Sequence, residues 1–323
     1  MPQNSTRRST KQISGEDIVV ETAWLYYHDG LNQSESANRL LVSRVTVVNY
    51  LQEARERGYI HTKLSPEAFN THRAALELRD RFGLKAAYIL PDGTGGQDDH
   101  ASRIIRGAAD WLPSLLEPGD RLGVAWGKTI YDVAERLEQT TIPDLTVLQL
   151  VGSMATPYGF SADVCSSNVA RKFSAKCINL HVPAILSTAE IAATLRAESL
   201  ISKQLDAISD CNKTLFAVGS CERDSHVASS GVATQRELED YIANGAVGVL
   251  CGRFIDAKGD PVSGPLDDRM MGIELEELRH RDMGILVSVG EERVPAAVAA
   301  IKGGYATHVV TNQSCAAAMM ELA

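Results

Sequence analysis

The sequence has no Cys-x-x-Cys pair, no run of eighteen uncharged apolar residues, no internal repeat and no low-complexity tract. Each absence excludes a class of protein. The six cysteines (Cys165, Cys177, Cys211, Cys221, Cys251 and Cys315) are scattered, and most lie in or beside apolar runs such as "VGVLC". That pattern argues against a disulfide framework and predicts buried free thiols in a reducing compartment. Nothing is long and apolar enough to suggest a bilayer span, and "MPQNSTRRSTKQ" carries two arginines with no apolar stretch behind it. The expectation is a cytoplasmic protein with no membrane partner. His28, His181, His226 and His308 show no metal-ligand spacing, so neither a metal nor a cofactor is expected.

What is present is ordinary globular material, 44% hydrophobic and 23% charged, over 323 residues. A single hydrophobic core usually serves about 100 to 200 residues, so two domains are expected. Charge is unevenly spread between them. Residues 1–63 hold eight Lys/Arg against seven Asp/Glu, a net +1, which leaves −10 on the remainder of a chain whose total is −9. An acidic body repels polyanions, so any contact with nucleic acid is expected to be confined to the N-terminal segment.

That segment reads as three helices. In "GEDIVVETAWLYYHDG", Ile18, Val19, Thr22, Leu25 and Tyr26 fall at helical spacing before Gly30. Asn32 or Ser34 can cap a short second helix with Ala37, Leu40 and Leu41 inward, and Ser43 can cap a third from Arg44 to Arg57 with Val47, Tyr50, Leu51 and Ala54 inward. A turn of a few residues between the second and third makes a helix-turn-helix, and the third helix is its reader. Ser43, Arg44, Thr46, Asn49, Gln52 and Arg55 are the candidates to meet base edges or phosphates. Ser36 stands where an aliphatic residue usually packs, and Leu41 where glycine usually makes the turn. The competing reading is a three-helix cap used for dimerisation.

Beyond residue 92 apolar runs alternate with amphipathic helices. The runs are "RLGVAW", "LTVLQLVG", "CINLHVPAIL", "KTLFAVGS", "GAVGVLCGRFID", "GILVSVG" and "THVVTN"; the helices include Lys128 to Leu137, Asn168 to Ala175, Glu190 to Ile208, Gln235 to Asn244 and Pro295 to Ile301. Alternation of this kind predicts a mostly parallel sheet covered by helices. Ligands of such sheets sit beyond the C-terminal strand ends, where glycine allows close approach. Four strand ends fit: "GVAWGKT", "VGSMAT", "VGSCE" and "SVGEER", with glycines Gly127, Gly152 and Gly219 among them. Together with Lys128, Arg171, Arg253 and Arg293 they suggest a small anionic or hydroxyl-rich ligand. "GVAWGKT" is not a nucleotide P-loop, because Gly123 and Gly127 enclose three residues where that motif needs four.

Taken in order, these segments resemble the SorC family of sugar-responsive bacterial regulators from about residue 18 to the end. The resemblance is carried by "WLYYHDGLNQSESANRLLVSRVTVVNYLQEARERGYI", "RLGVAWGKTI", "VARKFSAKC", "GAVGVLCGRFIDAKGDPV", "LDDRMMGIELEELR" and "GILVSVGEERVPAAVAAIKGGYATHVVT". It implies an α/β chain in which an all-α winged helix-turn-helix with a flexible tail (residues 1–63) precedes a Rossmann-like effector domain related to phosphosugar isomerases (64–323). It also implies assembly as a homodimer or homotetramer, operator DNA as one partner, and a phosphosugar, sugar or polyol as the other. Carried over by motif, the effector site includes Gly127, Lys128 and Thr129, with Arg171 nearby, and Arg253, Asp256, Asp267 and Arg293 facing the ligand from the other side. The alternative function is an isomerase-like enzyme with Asp256 or Asp267 as base; a third is an interaction module that does not touch DNA.

Overall fold

The computed structural model of the protein describes residues 15–60, 65, 68–69, 71–93, 95–154, 160–221, 233–279 and 281–323. The chain divides into two compact units, Met1–Leu64 and Ser65–Ala323.

The first unit holds α1 (Gly15–Tyr27), α2 (Gln33–Leu40) and α3 (Arg44–Glu56). Sequence-coded caps set their limits. Asn32 Oδ1 accepts from the Ser34 and Glu35 amides, both at 3.0 Å, while Glu35 Oε2 accepts from the Asn32 amide at 2.7 Å, a reciprocal capping box. Ser43 Oγ accepts from the Thr46 amide at 3.0 Å and starts α3. Between them Leu41 adopts φ 56, the left-handed turn that glycine would make without strain. Val47, Leu51 and Ala54 are buried on one side of α3, packing with Ala37 of α2 and Val19 and Ala23 of α1. Ser36 is fully buried among them, and among the described residues its hydroxyl has no hydrogen-bond partner. The expected N-terminal tail and any wing strand beyond residue 60 fall on residues 1–14 and 61–64, outside the described residues.

The second unit contains strands β1 (Ala86–Leu90), β2 (Arg121–Val124), β3 (Thr146–Gln149), β4 (Lys176–Ile178), β5 (Lys213–Phe216), β6 (Val218–Ser220), β7 (Ala246–Leu250), β8 (Arg253–Asp256), β9 (Met283–Val287) and β10 (His308–Asn312). Seven form a wholly parallel sheet in the order β1-β10-β9-β5-β2-β3-β4, and β6-β7-β8 form a small antiparallel sheet. Its helices are α4 (Arg73–Phe82), α5 (Gln97–Trp111), α6 (Lys128–Arg136), α7 (Ala162–Phe173), α8 (Ala189–Ala197), α9 (Ser199–Ser209), α10 (Gln235–Ala243), α11 (Leu275–Arg279), α12 (Val294–Lys302) and α13 (Gln313–Glu321).

Both faces of the large sheet are covered, which is why its strands read as continuous apolar runs rather than alternating ones. Leu286 and Val309 pack toward one core with α4, α12 and α13, while Ile285 and Val310 pack toward another with α5, α6 and α7. Several sequence expectations change in detail: "CINLHVPAIL" yields only the short strand β4, and the helix expected from Asn168 to Ala175 spans Ala162–Phe173. "KTLFAVGS" breaks at Ala217, giving β5 to the large sheet and β6 to the small one. "GAVGVLCGRFID" folds back as a hairpin, because Cys251 (φ 51) and Gly252 (φ 83) make a two-residue turn with both φ positive, the kind that matches strand twist. The segment Glu190 to Ile208 is interrupted at Glu198, whose ψ of 128 is extended, and so forms two helices.

Glycine lets α12 sit against the small sheet. A Cβ on Gly248 of β7 would stand 2.6 Å from Ala296 Cβ, and one on Gly259 would stand 2.3 Å from the Ala299 carbonyl oxygen.

Candidate functional site

In the large sheet the chain leaves β2 toward β3 and β4 on one side, then returns to β5 on the other. Loops after β2 and β5 therefore diverge and open a crevice at their C-terminal ends, the usual ligand position in such sheets. A cavity of about 590 Å³ lies there, and the loop following β9, the neighbour of β5, also contributes. The first loop supplies Trp126, Gly127, Lys128 and Thr129; the second supplies Ala217 to Ser220; the third supplies Val289, Glu292 and Arg293.

Gly127 has φ 114 and ψ 165, a conformation essentially restricted to glycine, and among the described residues no side chain caps the helix α6 that begins behind it. The start of that helix faces the cavity, and its backbone N–H groups favour an anionic or hydroxyl oxygen. Among the described residues, three cations line the same space, each with a partner. Lys128 Nζ is 2.6 Å from Asp132 Oδ2, Arg293 Nε is 3.6 Å from Glu292 Oε1, and Arg136 Nη2 donates to Ser102 Oγ at 3.2 Å. Trp126, Phe160, Ile105 and Val249 complete an apolar wall. Donors, carboxylates and apolar surface together suit a small hydroxylated molecule. Cys251 also borders the cavity, but burial pushes its thiol up to about 12, far from a reactive thiolate.

Of the ten effector-site residues expected from sequence, Gly127, Lys128, Thr129, Gly219 and Arg293 line this cavity. The other five lie elsewhere. Arg253 is buried at 5% exposure, donating from Nε to the Ile273 carbonyl at 2.9 Å and pairing with Glu274 and with Asp267 at 3.7 Å. Asp267 also accepts from the Gly264 amide at 2.6 Å and the Tyr241 hydroxyl at 3.2 Å, while Asp256 accepts from the Lys258 and Asp260 amides at 2.8 and 2.9 Å. These contacts hold loops of the small sheet. Gly152 packs where a Cβ would come within 2.6 Å of the Pro183 carbonyl oxygen. Arg171 is exposed on α7, donating to Asn168 Oδ1 at 3.2 Å. Parts of the "VGSMAT" and "VGSCE" loops, residues 155–156 and 222, lie outside the described residues.

Sequence reasoning missed Asp132, Arg136, Asp98 and Ser102. Asp132 and Arg136 follow Lys128 at four-residue steps, a spacing that puts all three on one face of α6 and could have found them. Asp98 and Ser102 come from α5, which no strand-end signal marks. Among the described residues no group of three or more His, Cys, Asp or Glu is placed to hold a metal ion, and no helix is long and apolar enough to cross a membrane.

In the first unit the reader candidates lie along α3 and its cap. Arg44 Nε donates to Gln33 Oε1 at 3.2 Å, Gln52 Nε2 to Glu56 Oε1 at 2.8 Å, and Arg55 Nη2 to the Tyr27 hydroxyl at 2.9 Å. Ser43 and Thr46 hydroxyls are 2.7 Å apart and serve the cap, while Asn49 is exposed. Val45 and Val48, absent from the sequence-based set, share the exposed side.

Comparison with known proteins agrees with this organisation. Residues 67–321 match the family described as "Putative sugar-binding domain". The chain is 38% identical over 314 residues to the uncharacterized transcriptional regulator YjhU of Escherichia coli K12, covering 96% of each. It is 30% identical over 324 residues to the transcriptional regulator LsrR of the same strain, covering 98% of each, and 28% identical over 311 residues to the deoxyribonucleoside regulator of Bacillus subtilis, covering 94% of this chain and 97% of that one. The crystal structure of the full-length sorbitol operon regulator SorC from Klebsiella pneumoniae superposes with a TM-score of 0.82 at 23% identity, over 95% of this chain and 99% of that one, and shares its fold. The chain belongs to the SorC family of sugar-responsive, DNA-binding transcriptional regulators.

Proposed function

We propose that residues 1–63 bind half of an operator through α3, and that residues 64–323 hold a sugar, phosphosugar or polyol in the cavity at the β2/β5 crevice. The observation that carries this reading is the cavity itself, where the uncapped start of α6, Lys128, Arg136 and Arg293 stand beside Asp132 and Glu292. Amides and cations suit phosphate or hydroxyl oxygens, and carboxylates accept from hydroxyl groups. Ser43, Arg44, Thr46, Asn49, Gln52 and Arg55 are the proposed DNA contacts, and Gly127, Lys128, Thr129, Gly219 and Arg293 the proposed effector contacts. The regulator works in the cytoplasm as a homodimer or homotetramer. An isomerase is disfavoured because Asp256 and Asp267, the proposed bases, hold loops and do not line the cavity.

Thermal-shift measurements of the full chain against a panel of phosphosugars, free sugars and polyols test the ligand half, since a molecule that binds only the native state raises its melting temperature. Selective stabilisation by one member is expected, and its loss on Lys128→Ala would tie it to this cavity. A panel-wide absence of shift removes the reading. Titration of operator DNA with and without that ligand tests the coupling: the factor by which ligand changes DNA affinity must equal the factor by which DNA changes ligand affinity.

A further inference from the structure

We propose that Val45 and Val48 read thymine by packing against its 5-methyl group in the major groove. The inference rests on the DNA-binding reading above and names what the exposed side of α3 recognises. At 3.6 residues per turn, the buried Val47, Leu51 and Ala54 define the inward side of the helix, and Val45, Val48, Asn49 and Gln52 fall within an arc of about 100° on the opposite side. Val45 is 69% exposed and Val48 41% exposed. Val45 leaves most of its surface in water and Val48 a large part, and β-branched residues on a helix surface lower its propensity slightly.

The neighbours of the two valines identify the occupant. Asn49 and Gln52 are exposed on the same arc and Arg44 stands one residue before Val45. Burying them against an apolar protein surface would leave amide and guanidinium groups without partners, whereas a base-pair edge supplies acceptors and donors beside the one methyl group that the major groove displays. The orientation is also constrained. In a helix-turn-helix the N-terminal half of the second helix of the pair enters the groove, and in α3 that half carries both valines, while Arg55 in the last turn stands toward the phosphates. The cap at Ser43 brings this half forward directly after the tight turn at Leu41.

The test begins with selection of duplexes from a random-sequence library by the full-length protein. In the enriched site, each thymine is then replaced singly by deoxyuridine, which removes only the methyl group, and affinity is measured by fluorescence anisotropy for the native chain and for Val45→Ala and Val48→Ala. One or two thymines per half-site should lose about fourfold in affinity on this replacement, the value of one buried methyl. In the matching alanine variant the same replacement should change nothing, while the remaining positions keep their ranking. Equal binding of thymine and uracil at every position, an enriched half-site without thymine, or discrimination that survives in both variants overturns the proposal and leaves DNA binding intact. Enrichment of no sequence at all overturns both.

Discussion

His308 offers a stringent test of the second unit's core. It lies on β10 at 6% exposure, with Nδ1 2.8 Å from the Thr307 hydroxyl oxygen and its ring 5.7 Å from that of Trp111. Burial, followed by the nearby charges of Lys85 and Lys213, pushes its pKa down from 6.5 to about 4. Between those two values the unfolded chain binds a proton that the folded chain refuses, so folding stability rises with pH across the window and is flat on either side of it. From about pH 7 to about pH 5 this one residue should remove about 2 kcal/mol of stability. Urea unfolding followed by tryptophan fluorescence at a series of pH values measures it. His308→Asn keeps an acceptor near the Thr307 hydroxyl but cannot titrate, so its baseline is free to fall while its slope across the window flattens. Asp120 does not confuse the result: although burial opposes its charge, the Glu117 amide, Lys213 and Asn212 hold its carboxyl below the usual carboxylate range, and the contribution is common to both proteins. Identical slopes for the native chain and the variant would refute the reasoning.

Three further outcomes follow from particular residues. Leu41→Gly should stabilise the N-terminal unit by about 0.5 to 1 kcal/mol in thermal unfolding, because it relieves φ 56 and, at 93% exposure, sacrifices no packing. Ser36→Ala should stabilise the same unit by about 1 kcal/mol, since it removes a buried hydroxyl that has no partner among the described residues; a lower melting temperature would reveal an unseen role for that hydroxyl. Among the described residues Gly127→Ala meets no atom within 4 Å, so its effect is conformational: about 1 to 3 kcal/mol of backbone strain at the cavity mouth, read as about a fivefold or greater weakening of the response to effector in a thermal-shift titration of a chain that still folds.

Much of this architecture was legible because parallel strands covered on both faces leave unbroken apolar runs, and caps such as Asn32 and Ser43 announce helix starts. The hairpin at Cys251 and Gly252 was hidden in one such run: Cys-Gly lacks the asparagine or aspartate that usually marks a turn with two positive φ values. Among the residues lining the cavity, Gly127 to Thr129 and Arg293 were legible because they sit on strand-end loops that topology brings together. The family resemblance put Arg253 and Asp267 at the ligand; in the structure neither lines the cavity, and they stand as an ion pair at 3.7 Å. Asp98 and Ser102 join the cavity from the start of α5, a proximity that depends on how α5 packs on α6 and leaves no mark in local sequence.

The seating of α12 limits how a bound molecule can be felt. Its first turn follows Arg293 at the cavity, and its middle is pressed against Gly248 and Gly259 with no room for a methyl group on either. A helix so tightly keyed has no slack in which to dissipate a push. Under the proposed reading, a molecule that draws Arg293 inward would move α12 and the β7–β8 hairpin together, reporting its presence as a shift of a whole substructure.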